Sequence, residues 1–348
     1  MTYGTALSPI PITHIEGFRF GHSTNREAGT GCTVIVAPEG ACAGVDVRGG
    51  APASRETDLL RPENTVDAIH AVCLSGGSAF GLEAASGVAR ELEARGIGLD
   101  VGPTRVPIVC SSCIFDLAFG DAHVRPGVSD GEKAVREAID GPADKPLAEG
   151  TVGAGTGATV GKLNGPKCAM KGGLGARAFA LGPLKVGAIV AVNACGDIVD
   201  PETHETLAGM RAAADSLELA NMEEAMLSAG ANMVMPLDRT NTTIACIVTN
   251  AHLTKAQATK VAQMAADAYA HTIRPTHTTN DGDTIYVMAS GASKTPAGEG
   301  DALVAAPPLD LMGLLATRAL EAAICAGVRT ADKIFDLPTY QNRIDSLS

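Results

Sequence analysis

Apolar positions in this chain fall into short runs, some alternating and some continuous, broken by glycine-rich turns and by stretches of helical period. GCTVIVAPEGACAGVDVRGG, residues 31–50, predicts two short strands on either side of the Pro38-Glu39-Gly40 turn. Residues 64–96 predict a helical start, a glycine-rich break and an amphipathic helix that stops near Gly96. VPIVCSSCIFDLAFG predicts a further strand, and the charged, proline-bearing residues 121–150 a surface excursion. LKVGAIVAVNACGDIVD, residues 184–200, predicts a pair of strands, and the polar tract from Glu205 to Ala229 a helix. TTIACIVTNA, residues 242–251, predicts a strand, followed by a helix at 254–271 and a strand at DTIYVMAS. A Gly/Pro/Ala linker at 291–308 precedes a long apolar helix at 309–328 and a surface tail at 334–348. Alternating strands and helices predict a layered α/β body without fixing its connectivity.

A chain of 348 residues with 45% hydrophobic content is long enough to bury a substantial core. Its 40 glycines suit tight turns and close backbone approach. The net charge of -12, with no long basic stretch, argues against nucleic acid as a partner. The first twenty residues lack a basic start followed by an apolar core, and no uninterrupted apolar run is long enough to span a membrane; the expectation is a soluble, cytoplasmic protein. Nine cysteines lie mostly in apolar runs, which predicts buried free thiols. The Cys110-Ser-Ser-Cys113 pair lacks the second thiol pair of a zinc site. GAGTGATVGKL lacks the spacing and the Ser or Thr of a phosphate loop, so ATP is not implied.

The chemistry concentrates where polar PLDRTN meets an apolar strand. Cleavage between Asn241 and Thr242 would leave a threonine whose hydroxyl is a nucleophile and whose own amine is its base. Thr-Thr opening a strand equally suits β-propensity and turn chemistry. Asp281 and Asp283 flank Gly282 just before a strand, where they could orient a hydroxyl or simply make an Asp-Gly turn. Asn193 is a candidate donor to an oxyanion or a cap, and Lys162 a charge beside a new terminus or a solvated lysine. The glycine-rich LSGGSAFGLEAASG could expose backbone donors or serve close packing. His70, placed in an apolar helix, His204 and His277 form no metal motif and suit structural or solvated roles.

In order along the chain, GFRFGHST, the 31–50 segment, LSGGSAFGLEAASG, the glycine-lysine segment, VNACGDIVD, NTTIACIVTNA and HTTNDGDTIY resemble the L-aminopeptidase D-esterase and β-aminopeptidase family, close to its nylon oligomer hydrolase branch. The resemblance covers most of residues 12–290 and implies a four-layer αββα sandwich of the N-terminal-nucleophile hydrolase type shared with ornithine acetyltransferase. It implies one catalytic domain, residues 1–333, in a precursor that cuts itself into an α chain, 1–241, and a β chain, 242–348, which stay associated in a homotetramer or larger assembly. Carried over by position, Thr242 attacks first the Asn241 carbonyl and later the substrate carbonyl; Asn193 serves the oxyanion, Lys162 the amine, and Asp281 and Asp283 orient the threonine. The implied substrates are short peptides or amino acid amides, cleaved through an acyl-enzyme with no metal or organic cofactor. The alternative is 6-aminohexanoate oligomers, because threonine with Asp-Gly-Asp is closer to that branch than to members with serine and Ser-x-Glu. One departure is Phe115 in SSCIFDL, where relatives can carry tyrosine. Acyl transfer to an amine, and a noncatalytic binding or assembly role, are the competing readings.

Overall fold

Several strands of this chain are apolar at both odd and even positions, so each of their faces must be covered by a different layer. In the computed structural model, which describes residues 7–231, 241–291 and 302–347, ten strands form one hydrogen-bonded sheet, nine of them along a single path. They are β1 (Leu7–Ile10), β2 (Arg19–Asn25), β3 (Thr30–Val47), β4 (Ser54–Arg55), β5 (Ile69–Ser75), β6 (Val109–Cys113), β7 (Gly173–Leu181), β8 (Leu184–Val192), β9 (Ile244–Thr249) and β10 (Thr284–Ala289). Their order is β1-β7-β8-β9-β10-β3-β5-β6-β4, with β2 also paired to β3. The helices that matter here are α1 (Ala84–Ala94), α2 (Val128–Asp140), α3 (Met222–Ala231), α4 (Lys255–Ala265), α5 (Leu309–Arg329) and α6 (Tyr340–Leu347). The parallel pairs β5/β6 and β9/β10 are each joined through a helix, α1 and α4, since a tight turn cannot connect parallel neighbours.

The path folds over at β3, whose first arm pairs with β2 and β5 and whose second arm pairs with β10. On β8, Val186, Ala188, Val190 and Val192 pack with Val261 of α4 and Leu320 of α5, while Ile189 and Ala191 face the other way. On β5, Ala71 and Cys73 meet Val88 and Leu92 of α1 and Val135 of α2, while Val72 and Leu74 face inward. The two inward faces share one core, and Ser112 Oγ meets Tyr286 OH across it at 2.7 Å. The result is the expected αββα sandwich.

Several local expectations change. The Pro38-Glu39-Gly40 turn is a bulge inside one continuous strand: between the pairs Val36/Ala71 and Ala41/Ile69, β3 advances five positions while β5 advances two. Residues 69–75, expected as a helical start, are β5, and His70 therefore lies on a strand; a continuous apolar run does not distinguish the two by period. The 121–150 excursion contains α2, whose Gly131, Ala134, Val135 and Ala138 are buried while its charges face outward. The 184–200 strands exist, but β8 pairs with β7 and β9, and Asp197–Val199 with a separate small sheet. The tract from Glu205 opens as a strand, Thr206–Ala208, and becomes helical only at Met222, because the buried Asp197 carboxylate accepts the N–H groups of Met210 (2.8 Å) and Met222 (3.0 Å). Residues 236–240 of the junction segment and 292–301 of the linker lie outside the described residues. In the expected tail, α6 is superficial, but Leu337 and Thr339 are buried.

The helix layers sit directly on strand backbone. A Cβ on Gly175 of β7 would stand 1.9 Å from the Ala323 carbonyl oxygen of α5, so a methyl group there must push the helix away. Gly175→Ala is expected to lower the unfolding free energy by about 1–3 kcal/mol, read from the urea midpoint. An unchanged midpoint would show that α5 has room to move.

Candidate active site

Three strand ends meet at one end of the sheet. β8 and β9 are antiparallel with Ala191 opposite Ile244, so Asn193 stands opposite Thr242, and the Thr242 N–H donates to Asn193 O at 2.9 Å. β9 and β10 are parallel with Ile244 beside Thr284, which puts Gly282 next to Thr242. A Cβ at Gly282 would lie 2.9 Å from Thr242 Oγ1, so the glycine between the two aspartates is a spatial requirement of the threonine beside it. Thr242 is 5% exposed, and its hydroxyl donates to the carbonyl oxygen of Asn241.

Asn193 is fully buried. Its Oδ1 accepts from Lys162 Nζ (2.7 Å) and from the Thr159 N–H (3.0 Å), while its Nδ2 donates to the Phe115 carbonyl (3.1 Å). These donors fix which end of the amide is oxygen. Lys162 also donates to Asn193 O at 3.2 Å, the same oxygen that receives the Thr242 N–H. A short strand, Thr159–Val160, and the turn after it run beside residues 193–195, tied by Lys162 N–H to Cys195 O. That pairing carries an ammonium to the threonine.

On the other flank, Asp283 Oδ1 accepts the Thr243 N–H at 2.8 Å, and its Oδ2 accepts from the Thr276 hydroxyl (3.2 Å), the His277 N–H (3.1 Å) and His277 Nδ1 (2.9 Å). Asp281 Oδ2 accepts the Thr278 N–H at 2.6 Å. Burial, followed by the neighbouring Asp283 charge, pushes the Asp281 carboxyl up to about 6. Tyr269 donates to Thr243 O at 3.1 Å, with its ring 5.6 Å from that of His277.

The other four candidate side chains, Asn193, Lys162, Asp281 and Asp283, with Asn241, are thus gathered around Thr242. Of the structural and solvated roles that the sequence allows His277, the structure shows the first, a brace on Asp283; Thr159 and Tyr269 carry no sequence signal, since both act through ordinary strand and helix positions. The glycine-rich 74–87 loop is not part of the site. Its Gly77 N–H and the Thr30 hydroxyl are bound by the buried Asp116 (2.6 and 2.7 Å), a packing arrangement. Cys110 and Cys113 sit three apart on β6, where strand geometry sends them to opposite faces, and all nine cysteines are free thiols. Beside Lys162 and Thr159 opens a cavity of about 460 Å³, whose apolar lining includes Phe115, Phe119, Phe335 and Leu337.

Peptidase family S58 matches this chain over residues 11–338. The chain belongs to that family. It is accordingly a hydrolase of amide bonds. An uncharacterized aminopeptidase of Mycobacterium leprae is 40% identical over 345 residues, covering 94% of this chain and 92% of that protein. The 6-aminohexanoate-oligomer endohydrolase of Paenarthrobacter ureafaciens is 30% identical over 308 residues, covering 84% and 81% respectively. Among solved structures, the L-aminopeptidase D-Ala-esterase/amidase of Ochrobactrum anthropi, described as a variant of the N-terminal-nucleophile hydrolase fold, superposes with TM-score 0.68 at 18% identity, covering 97% of this chain and 93% of that one. A Burkholderia β-aminopeptidase gives TM-score 0.67 at 21% identity, covering 100% and 96%. This S58 chain therefore has the N-terminal-nucleophile hydrolase fold.

Two consequences of the site geometry can be measured. Asp281 has a folded pKa raised from 3.8 to about 6, so its contribution to stability is full below the unfolded pKa and is lost as pH rises through about 6. Asp281→Asn, which stays neutral, is expected to be more stable than the parent at pH 7.5, with the difference closing between pH 6 and pH 4 in urea titrations. A difference independent of pH would remove the carboxyl as its source. His277→Ala strips a donor from Asp283 and is expected to cost about 1–3 kcal/mol, whereas His277→Asn, whose amide nitrogen stands near the position of Nδ1, restores most of it. Equal losses in both variants would refute the brace.

Proposed function

We propose that this S58 enzyme processes itself at Asn241-Thr242 and then cleaves short peptides or amino acid amides through an acyl-enzyme on Thr242. The observation that carries this reading is the Thr242 hydroxyl resting on the carbonyl of the preceding residue while Asn193 holds the Thr242 N–H. In maturation, Oγ1 attacks the Asn241 carbonyl carbon, the C–N bond breaks, and the acyl group passes to oxygen as an ester. Water then hydrolyses the ester, leaving a carboxylate on Asn241 and a free amine on Thr242.

In the substrate cycle that amine takes the hydroxyl proton as Oγ1 attacks the scissile carbonyl. An α-amine titrates near about 7.7–8.0, so it is an effective base at neutral pH. Lys162, bonded to the same Asn193 oxygen as the Thr242 nitrogen, disfavours an extra proton on the amine. Asn193 Nδ2 donates to the developing oxyanion, with no phenol at Phe115 to assist. Asp283 holds the chain one residue past the nucleophile, and Asp281 adds negative charge that steadies the ammonium formed during transfer. The amine product leaves with the proton, and water releases the acyl group.

The second reading, an endohydrolase of 6-aminohexanoate oligomers, uses the same steps. It is favoured by the curated relative of that name and by the Asp281-Gly282-Asp283 sequence. In either case the two chains stay associated, within a homotetramer or larger assembly.

Intact-mass measurement on fresh protein tests processing. The expected fragments are roughly 24 and 11 kDa, dividing the 35.3 kDa chain in proportion to residue number, and the smaller begins TTIACIV. Thr242→Ala is expected to remain whole and to lose at least about a thousandfold in turnover. Hydrolysis by an uncut chain, or by the alanine variant, would reject the mechanism.

A further inference from the structure

The cavity beside Lys162 and Thr159 has charged residues on its wall that the proposed chemistry does not use. Asp116 is turned away into the Gly76-Gly77 turn, where Thr30 and Gly77 occupy its oxygens. Asp336 is exposed and paired with Lys333 at 3.1 Å. Arg211 differs from both. It is 4% exposed, yet every hydrogen-bond partner of its guanidinium is a neutral backbone carbonyl: Ala169 (3.3 Å), Ala214 (2.7 Å), Ser216 (2.9 Å) and Lys167.

A guanidinium has five N–H donors, and these bonds use four. The fifth, on Nη2, has no partner among the described residues, and no carboxylate among them is hydrogen-bonded to the group. Burial lowers its pKa, and the negative charge of Asp215 in the same loop, which makes no ion pair with it among the described residues, offsets this only in part. The same wall carries Lys167, which is exposed, and Lys162. The cavity of an otherwise acidic protein is therefore cationic where it adjoins the site.

We propose that Arg211 and Lys167 form a carboxylate subsite, and that the preferred substrates are amides bearing a free carboxylate at a distance from the bond that is cut. The proposal rests on the reading of Thr242 as the nucleophile only for the placement of that bond; the anion site itself stands on the cavity wall. A carboxylate entering here supplies the directly bonded anion that Arg211 lacks among the described residues and exchanges its hydration for charge-assisted hydrogen bonds. Two chemical sources fit: the carboxylate of the amine half, as in N-acyl amino acids, and a carboxylate on the acyl half, as in monoamides of dicarboxylic acids. Arg211 also ties the 166–168 turn to the 211–216 loop, so the test must separate a binding role from a bracing one.

Calorimetric titration of full-length Thr242→Ala protein, which is expected not to consume its ligand, makes that separation. The ligands are N-acetyl ω-amino acids and dicarboxylic acid monoamides of graded spacer length, each compared with the compound in which the carboxylate is replaced by a primary amide. At least one acid series is expected to bind about tenfold tighter than its amide counterpart, and the series that does so names the half carrying the charge. Lys167→Gln, at an exposed position, is expected to reduce that preference at least threefold, and Arg211→Gln to abolish it while leaving amide binding unchanged. Equal binding of acids and amides, or an acid preference that survives both substitutions, overturns the proposal. Equal loss of acid and amide binding in Arg211→Gln, with Lys167→Gln unchanged, also overturns it and leaves Arg211 as a brace. Turnover by the unsubstituted protein, followed separately, reports on the Thr242 reading, so the two can fail independently.

Discussion

The register between three central strands is the constraint on which everything else depends. With β8 antiparallel to β9 and β9 parallel to β10, Asn193, Thr242 and Gly282 are neighbours, a placement set by the ladder and extended by the hydrogen bond from Thr242 N–H to Asn193 O. A one-residue slip in either pair would exchange the helix-facing and inward-facing sets, burying the wrong side chains on both faces. Because β9 and β10 are covered on both sides, that slip is opposed along their whole length. The precision of the site is thus inherited from hydrophobic packing that extends far beyond it.

Electrostatics then refines what the ladder places. A lysine and two carboxylates stand on opposite flanks of one threonine, each buried; Lys162 and Asp283 are held by both backbone and side-chain groups, while Asp281 keeps one oxygen unpartnered among the described residues. Such an arrangement is costly to desolvate and is consistent with a site organised for proton transfer more than for stability. The positive φ of His277 (55°) is a further sign that local backbone comfort yields to side-chain placement around Asp283.

Much of this was legible in the sequence. The strands at 242–251 and 284–289, the helices at 254 and 309, and the residue types around Thr242 carry strong local signals, and the order of motifs supplied the fold. The errors share a cause: segments whose structure is decided by a distant layer. Residues 69–75 are apolar throughout, and only their burial between α1, α2 and the inner core makes them a strand. The charges of 121–150 suggested a loop because one helix face is solvated, although the opposite face closes the outer layer. Arg211 could not be picked out at all, since what distinguishes it, a buried guanidinium bonded only to backbone carbonyls among the described residues, exists only in three dimensions.

The order of strands across the sheet has a consequence for the life history of the molecule. β9 and β10 both follow Thr242 in the chain, yet they are inserted between β8 and β3, which both precede it. A chain cut at Asn241-Thr242 would consist of two interleaved pieces, the smaller laced into the centre of the larger along both edges. Neither piece could depart without exposing a double row of unpaired backbone groups. Folding would then be a single-use event: the connection that brought the inserted strands home in one chain would be gone, reassembly would become bimolecular, and persistence would rest on the slowness of unravelling.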